Sequence, residues 1–266
     1  MSKIAILGPA GTYTSKAVEL LKNEYEPVYY PSILKSLMAV DEEVDALIPF
    51  ENTLDGFVYE GVDAIIKNGL HIVEEVKLEV GFNCISNCDI KDVEVLYVQF
   101  KAYGQCLDFI SKHDLKIITT ESNIESLNWF LKNPNKSAAI IPNHLNCSEY
   151  KEVIYNIADS RNNETRFVRV AKNPKYVIEQ HMVASMVITP IADKAGLLYD
   201  LLKHFKDYDF NLRTIMSRPR RDEIGKYSFY IELDLESNKL ELLYELAKMI
   251  ENVNANSSII GIYNKI

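Results

Sequence analysis

Two short clusters in this chain carry side chains suited to acid–base and anion chemistry without a metal. The first is Asp159-Ser160-Arg161-Asn162-Asn163-Glu164-Thr165-Arg166-Phe167-Val168-Arg169-Val170. Its polar run of turn formers enters an alternating strand pattern, so Thr165 and Arg166 stand where a rigid element meets the surface. Binding and catalytic groups concentrate at such junctions. The second is Glu51-Asn52-Thr53-Leu54-Asp55-Gly56-Phe57-Val58, which follows the apolar run 45–50. It gathers two carboxylates, an amide and a hydroxyl just past the carboxyl end of a strand, where open parallel sheets collect ligand groups. Gly8-Pro9-Ala10-Gly11-Thr12 and Glu121-Ser122-Asn123 add hydroxyl, amide and helix-start N–H donors. Each cluster also has a plainer role open to it. Asn52, Thr53 and Ser122 could cap helices, Asn162-Asn163 could only turn the chain, and Thr165 could be a β-branched residue suited to its strand.

These groups need elements that bring them together. Residues 3–7 predict a short strand, 8–14 a turn and about 15–23 a helix, the opening of an α/β unit. The Gly8 to Thr12 spacing fits neither a dinucleotide fingerprint nor a phosphate-binding loop, so no nucleotide is expected. A strand at 28–30, a helix from Ser32 to about 42, the strand at 45–50, a helix near 58–68 and a long strand at 71–80 complete one lobe. Strands near 93–98, 116–120 and 137–141, with helices near 103–113 and 124–131, predict a second, and the chain returns through 153–158. After a linker at about 173–181 come strand 182–188, helix 194–205, strands 210–217 and 227–235, helix 240–250 and strand 257–263. That βαββαβ order is the ferredoxin-like split unit.

The 266 residues are enough for two domains with separate cores. A net charge of −9 argues against a nucleic-acid partner, and it leaves attraction of a small anion to local donors and a few arginines. The apolar runs are too short to cross a bilayer and residues 1–8 lack the features of a signal peptide, which predicts a cytoplasmic protein without a membrane partner. Cys84, Cys88, Cys106 and Cys147 have neither paired spacing nor neighbouring histidines, so reduced thiols are expected rather than zinc. His71, His113, His144, His181 and His204 have no motif neighbours and receive no role.

At this point the motifs, in order, resemble those of stand-alone prephenate dehydratases, which join a catalytic region to an ACT regulatory domain. Gly8-Pro9-Ala10-Gly11-Thr12 is similar to the family's G-P-x-G-T, Pro49 to Val58 to P-I-E-N-S-x-E-G-x-V, and Asn163-Glu164-Thr165-Arg166-Phe167 to N-x-T-R-F. Gln105-Cys106 matches a Q-C pair. Gly196-Leu197-Leu198 stands in place of G-A-L, and Asn211 to Pro219 in place of N-L-T-K-I-E-S-R-P. Thr53 for serine and Asp55 for glutamate keep the chemistry. Gln99-Phe100-Lys101 replaces histidine-proline-glutamine, Phe82 falls where a histidine is common, and Met216 replaces the glutamate of the phenylalanine-binding segment.

The resemblance implies an α/β fold: a two-lobed catalytic region like type-two periplasmic binding proteins over 1–176, then a ferredoxin-like ACT domain over 182–266. Lobe one would hold about 1–76 and 160–176, lobe two about 77–159, with the site in the cleft between them. It implies conversion of prephenate to phenylpyruvate with no cofactor and no metal. Thr165 would sit by the departing hydroxyl, and Glu51 would be a stronger acid, an orienting group or half of a structural ion pair. Arg166 would pair with a substrate carboxylate or brace Glu51 or Asp55. Thr12, Asn52, Thr53, Ser122, Asn123 and Phe167 would line the substrate. L-phenylalanine would bind between paired ACT domains near Gly196, Leu197, Leu198, Asn211, Leu212, Ser217 and Arg218, which needs a homodimer or homotetramer. Arogenate dehydratase, prephenate decarboxylase and a non-catalytic amino-acid-responsive binding protein are the alternatives on the same fold.

Overall fold

Ile4, Ala5 and Ile6 have no exposure to solvent, the mark of a strand covered on both faces. They lie in β1 (Ser2–Leu7) of the computed structural model, which describes residues 2–192, 194–220, 226–252 and 254–264. The first stretch continues through α1 (Tyr13–Val18), β2 (Tyr25–Tyr30), α2 (Ile33–Met38), β3 (Val44–Asn52), the two-residue β4 (Gly56–Phe57), α3 (Tyr59–Asn68) and β5 (His71–Glu79). β1 runs parallel to both β2 and β3. The helices α1 and α2 are shorter than their apolar patterns suggest. Past Val18, Leu20 and Leu21 bond back only three residues, and Glu74 then takes the backbone N–H of Lys22 at 2.9 Å.

The chain next builds a separate five-stranded sheet. Its elements are β6 (Phe82–Ser86), β7 (Val95–Gln99), α4 (Phe100–Gly104), α5 (Leu107–Ile110), β8 (Lys116–Thr120), α6 (Asn123–Lys132), β9 (Ser137–Pro142) and β10 (Glu152–Ile154), in strand order β10-β6-β9-β7-β8. β6 has no counterpart in the sequence expectations. All five of its residues are buried, Asn83 and Ser86 among them, so no apolar–polar alternation announces it. The helix expected over 103–113 is two short helices broken at Gln105-Cys106.

β11 (Glu164–Ala171) then returns to the first sheet and inserts antiparallel between β3 and β5. The last unit is β12 (His181–Pro190), α7 (Leu197–Asp207), β13 (Leu212–Pro219), β14 (Tyr227–Glu236), α8 (Leu240–Asn252) and β15 (Ala255–Asn264). Its antiparallel order β13-β14-β12-β15 continues into β5-β11-β3-β1-β2, with β4 beside β3, to give one ten-stranded sheet. α7 and α8 cover one face of the unit through Leu197, Leu201, Phe205, Leu243, Leu246 and Ile250. The other face shares a core with strands of the first part of the chain: Val183, Met216, Tyr230 and Tyr263 pack with Ile48, Phe50, Val168 and Val170.

The two parts of the long sheet meet at one parallel rung, Gly261 opposite Ile72. A Cβ on Gly261 would lie 2.9 Å from both the Cβ and the carbonyl oxygen of Ile72. The backbone there cannot yield as a side-chain tip would. Gly261→Ala is expected to destabilise the chain by about 1–3 kcal/mol through this overpacking, read as a lower urea midpoint at unchanged slope.

Candidate active site

β11 and β3 pair with Thr165 opposite Asn52 and Arg166 opposite Glu51. Opposed residues share a face and successive residues alternate, so this register sends Thr165 with Asn52 to one side and Arg166 with Glu51 to the other. The two motifs therefore lie side by side on neighbouring strands instead of confronting each other across a crevice. Motifs that read from the sequence as one combined site are divided between the two faces of the sheet.

On the first face, Asn52 Nδ2 donates to Thr165 Oγ1 at 2.9 Å, to Asn163 Oδ1 at 2.7 Å and to the Glu164 carbonyl at 3.2 Å. Its Oδ1 accepts from the backbone N–H groups of Leu54 and Asp55. Every polar atom of Asn52 is thus occupied within the protein. The consequence falls on Thr165: its oxygen already accepts, so its one proton is left to donate elsewhere. Asn163 Nδ2 donates to Gln105 Oε1 at 2.9 Å, which ties this group to the second sheet and leaves the Gln105 amide hydrogens for a ligand. Asn163 and Gln105 appear in the motifs but receive no role from the sequence. Their signal was a position beside known turn and helix-break residues.

Thr53 is occupied too. Its hydroxyl donates to the Asn162 carbonyl and accepts from Glu164 N–H, both at 3.0 Å, so it fastens β3 to β11 and has no hydrogen for a substrate. Thr12 caps α1 by accepting from Ser15 N–H at 3.3 Å. Ser122 caps α6 by accepting from Glu125 N–H at 3.0 Å, and the Glu125 carboxylate accepts from Glu121 N–H, one residue before the cap, at 2.7 Å. Capping, the plainer role, describes both. Phe167 lies in the core with Ile4, Ile6, Leu47 and Val76 at 1% exposure, so it does not reach a ligand. Side-chain alternation places it one layer beneath Thr165.

The second sheet closes over this face. Tyr13 hydroxyl donates to the Gly81 carbonyl and accepts from Gly81 N–H at 3.1 Å, and its ring meets Phe82 and His144 edge-on. Burial holds the Tyr13 hydroxyl well above its ordinary pKa and the His144 imidazole below its own, so both are neutral. His144 Nε2 donates to the Gly11 carbonyl at 3.1 Å, which leaves Nδ1 as an acceptor; that atom and Asn123 Oδ1 are buried without a partner among the described residues. Gly11, at φ +84°, lies against Ile124 at the start of α6. The opening turn, Asn123 and His144 thus share one interlobe seam.

On the opposite face Arg166 is 6% exposed and lies 3.1 Å from Glu51, 3.1 Å from Glu75 and 3.0 Å from Glu232 of β14. Its ring-face contact with Phe50 at 5.0 Å completes the enclosure. Of the two roles open to Arg166, bracing Glu51 is the one seen. Glu51, on this face, is part of an ion pair and is separated by the sheet from the Thr165 hydroxyl, which argues against it as the proton source. Glu232 also accepts from Tyr230 at 2.7 Å and Tyr263 at 2.9 Å. Burial and then the adjacent Glu232 charge raise both phenols far above their ordinary pKa, so they stay donors.

In the last unit, Gly196 precedes α7 in a left-handed conformation, Leu197 is buried and Leu198 is 38% exposed. Asn211 donates to Asp234 at 3.0 Å, Leu212 packs on the helix-covered core and Ser217 is exposed. Arg218 forms a two-pronged pair with Asp63 of α3 at 2.8 and 2.9 Å beneath the Tyr59 ring. Met216 is buried in the shared core, which explains an apolar residue at a position where the resembling pattern has glutamate. Beside the first face, an open depression of about 630 Å³ is lined by Leu54, Asp55, Phe100, Lys101, Gln105 and Asp159, among others. None of the helices among the described residues is long and apolar enough to cross a membrane.

Comparison with known proteins now bears on this arrangement. The chain is 29% identical over 263 residues to a prephenate dehydratase of Methanocaldococcus jannaschii, covering 96% of this chain and 95% of that one. It superposes on the prephenate dehydratase structure from Staphylococcus aureus subsp. aureus Mu50 with a TM-score of 0.84 at 25% identity, over 98% and 100% of the two chains. A prephenate dehydratase from Arthrobacter aurescens in complex with L-Phe gives 0.84 at 22% identity, over 99% and 90%. The family model described as prephenate dehydratase matches residues 4–175, the span that runs from within β1 through β11 and holds the whole Asn52–Thr165 network. Because that match spans well over half of its length, the chain belongs to the prephenate dehydratase family.

Proposed function

We infer that the chain converts prephenate to phenylpyruvate, with Thr165 as the hydrogen-bond donor to the departing ring hydroxyl. The observation that carries this is the 2.9 Å bond from Asn52 to Thr165 Oγ1, in which the threonine oxygen accepts and its own proton is left to donate. In the reaction the ring carbon–oxygen bond breaks with its electron pair and, with one added proton, leaves as water. The bond to the ring carboxylate breaks at the same stage, and its electrons complete the aromatic ring as carbon dioxide leaves. Aromatisation drives the process, so the protein must chiefly hold the ring and ease departure of the hydroxyl. A threonine hydroxyl is too weak an acid to hand over its proton unaided; it stabilises developing charge on the leaving oxygen or relays a proton from water.

The cleft-side donors are neutral: Thr165, the Gln105 amide and the Asn123 amide. Neutral donors suit this substrate, because a tight ion pair to the departing carboxylate would stabilise the ground state and slow its loss. Arg166 and Glu51 act as a brace under β11 rather than as substrate ligands. We divide the chain into a catalytic region over 1–176, with lobes like those of type-two periplasmic binding proteins, and an ACT domain over 182–266. The Arthrobacter relative is described in complex with L-Phe, which supports phenylalanine as the effector here, near Gly196 to Leu198 and Asn211 to Ser217. A site of that kind between paired ACT domains calls for a homodimer or homotetramer, and the biosynthetic role fits a cytoplasmic enzyme.

Purified protein incubated with prephenate is expected to form phenylpyruvate, seen by its absorbance in alkali; a folded protein that forms none would remove the enzymatic reading. Thr165→Val keeps the shape of the side chain and deletes its proton. It is expected to lower kcat by about 10²–10³-fold with an unchanged melting temperature, and near-normal turnover would show the role is misassigned. Titration calorimetry with L-phenylalanine is expected to show binding heat, and a flat trace would remove phenylalanine as the effector bound by the C-terminal unit.

A further inference from the structure

The carboxylate that organises the buried face of β11 comes from the C-terminal unit. Glu232, at 1% exposure, takes both prongs of the Arg166 guanidinium, Nη1 to Oε1 and Nη2 to Oε2, each at 3.0 Å. The same Oε1 accepts from the Tyr230 and Tyr263 hydroxyls, and Ser185 Oγ lies 3.1 Å from each phenol oxygen. Three strands of the C-terminal unit, β12, β14 and β15, thereby fix one carboxylate. That carboxylate fixes a side chain of β11 in two directions at once, as only a forked pair can.

Arg166 is chemically next to Thr165, so the pair constrains more than itself. With Arg166 anchored on one face and Thr165 held by Asn52 on the other, the strand between them is clamped. The second buried carboxylate of the cluster, Glu75 at 1% exposure, is reached by Arg166 at 3.1 Å and lies 3.8 Å from Arg213 of β13. Cations and carboxylates thus alternate from β13 to β11, and loss of one buried carboxylate leaves a guanidinium short of its counter-charge.

We propose that Glu232 is a positioning residue for the dehydratase reaction: through Arg166 it sets the placement of Thr165, so the C-terminal unit takes part in turnover and not only in regulation. The proposal rests on Thr165 as the group beside the leaving hydroxyl. It differs from a role in stability alone, which would lower the melting temperature and leave turnover of the folded protein as it was.

Full-length Glu232→Gln keeps the volume and removes the charge. Two readouts are taken well below its melting temperature. With prephenate, kcat is expected to fall at least about tenfold while KM stays within about twofold, the pattern of a group misplaced for the transition state. By hydrogen exchange with mass spectrometry, backbone amides at 164–166 are expected to exchange at least about fivefold faster, with β1 and the second sheet unchanged. Tyr263→Phe, which removes one donor to Glu232 without changing the charge, serves if the first variant does not fold; it is expected to show both effects at about threefold. Wild-type kcat in these variants with unchanged exchange at 164–166 overturns the proposal. A wild-type chain inactive on prephenate overturns the dehydratase reading instead, and the exchange measurement then still decides whether Glu232 holds β11. Uniformly faster exchange over the whole chain, with normal kcat, assigns Glu232 to stability only and also overturns it.

Discussion

One pairing governs the rest of this molecule: β11 lies antiparallel between β3 and β5, with Thr165 against Asn52 and Arg166 against Glu51. Because side chains alternate along a strand, that register divides the labour between two adjacent residues. One turns a hydroxyl to the Asn52 side, where its oxygen accepts from that amide, and the other buries a charge on the opposite side of the sheet. A slip of one residue would exchange the two faces, placing the guanidinium in the cleft and the hydroxyl in the core. Thr53, bonded at 3.0 Å to both Asn162 and Glu164, pins that register at the open end of the strands.

The donors assigned beside Thr165 are neutral, while the buried charges around Arg166 lie on the other face of the sheet. This is consistent with the chain's net charge of −9. A dianionic substrate gains little from the overall field, and a site made of amides and hydroxyls avoids the desolvation cost of buried ions where substrate must enter and product must leave. The interlobe seam at Gly11, Tyr13, Gly81 and His144 follows the same rule, since burial keeps Tyr13 and His144 uncharged.

Much of this was legible in the letters. The order of elements, the βαββαβ ending and the importance of Asn52 and Thr165 follow from periodicity, turn residues and motif. The division of Thr165 from Arg166 was legible as well, since consecutive residues in a strand must face opposite ways, but grouping them as one motif hid it. What could not be read was non-local. Nothing near Arg166 in sequence indicates Glu75, or Glu232 some sixty residues later, because antiparallel insertion of β11 and the fold of β14 over it bring them together only in space. β6 escaped notice because full burial removes the alternation that identifies a strand. Ser122 and Thr12 have the same letters whether they cap a helix or bind a ligand, and only their hydrogen bonds separate the two.

The shared core between the C-terminal unit and the strands around Phe50 bears on whether this chain is divisible. Separating the unit that follows the linker after β11 would bare Ile48, Phe50 and Val168 on one piece and Tyr230 and Tyr263 on the other, and leave a guanidinium and a carboxylate without each other. Neither piece could satisfy its exposed surface with water as well as with its former neighbour. The chain thus packs as one body across this interface, and the segment that reads as an appendage in the sequence forms part of the wall on which β11 rests.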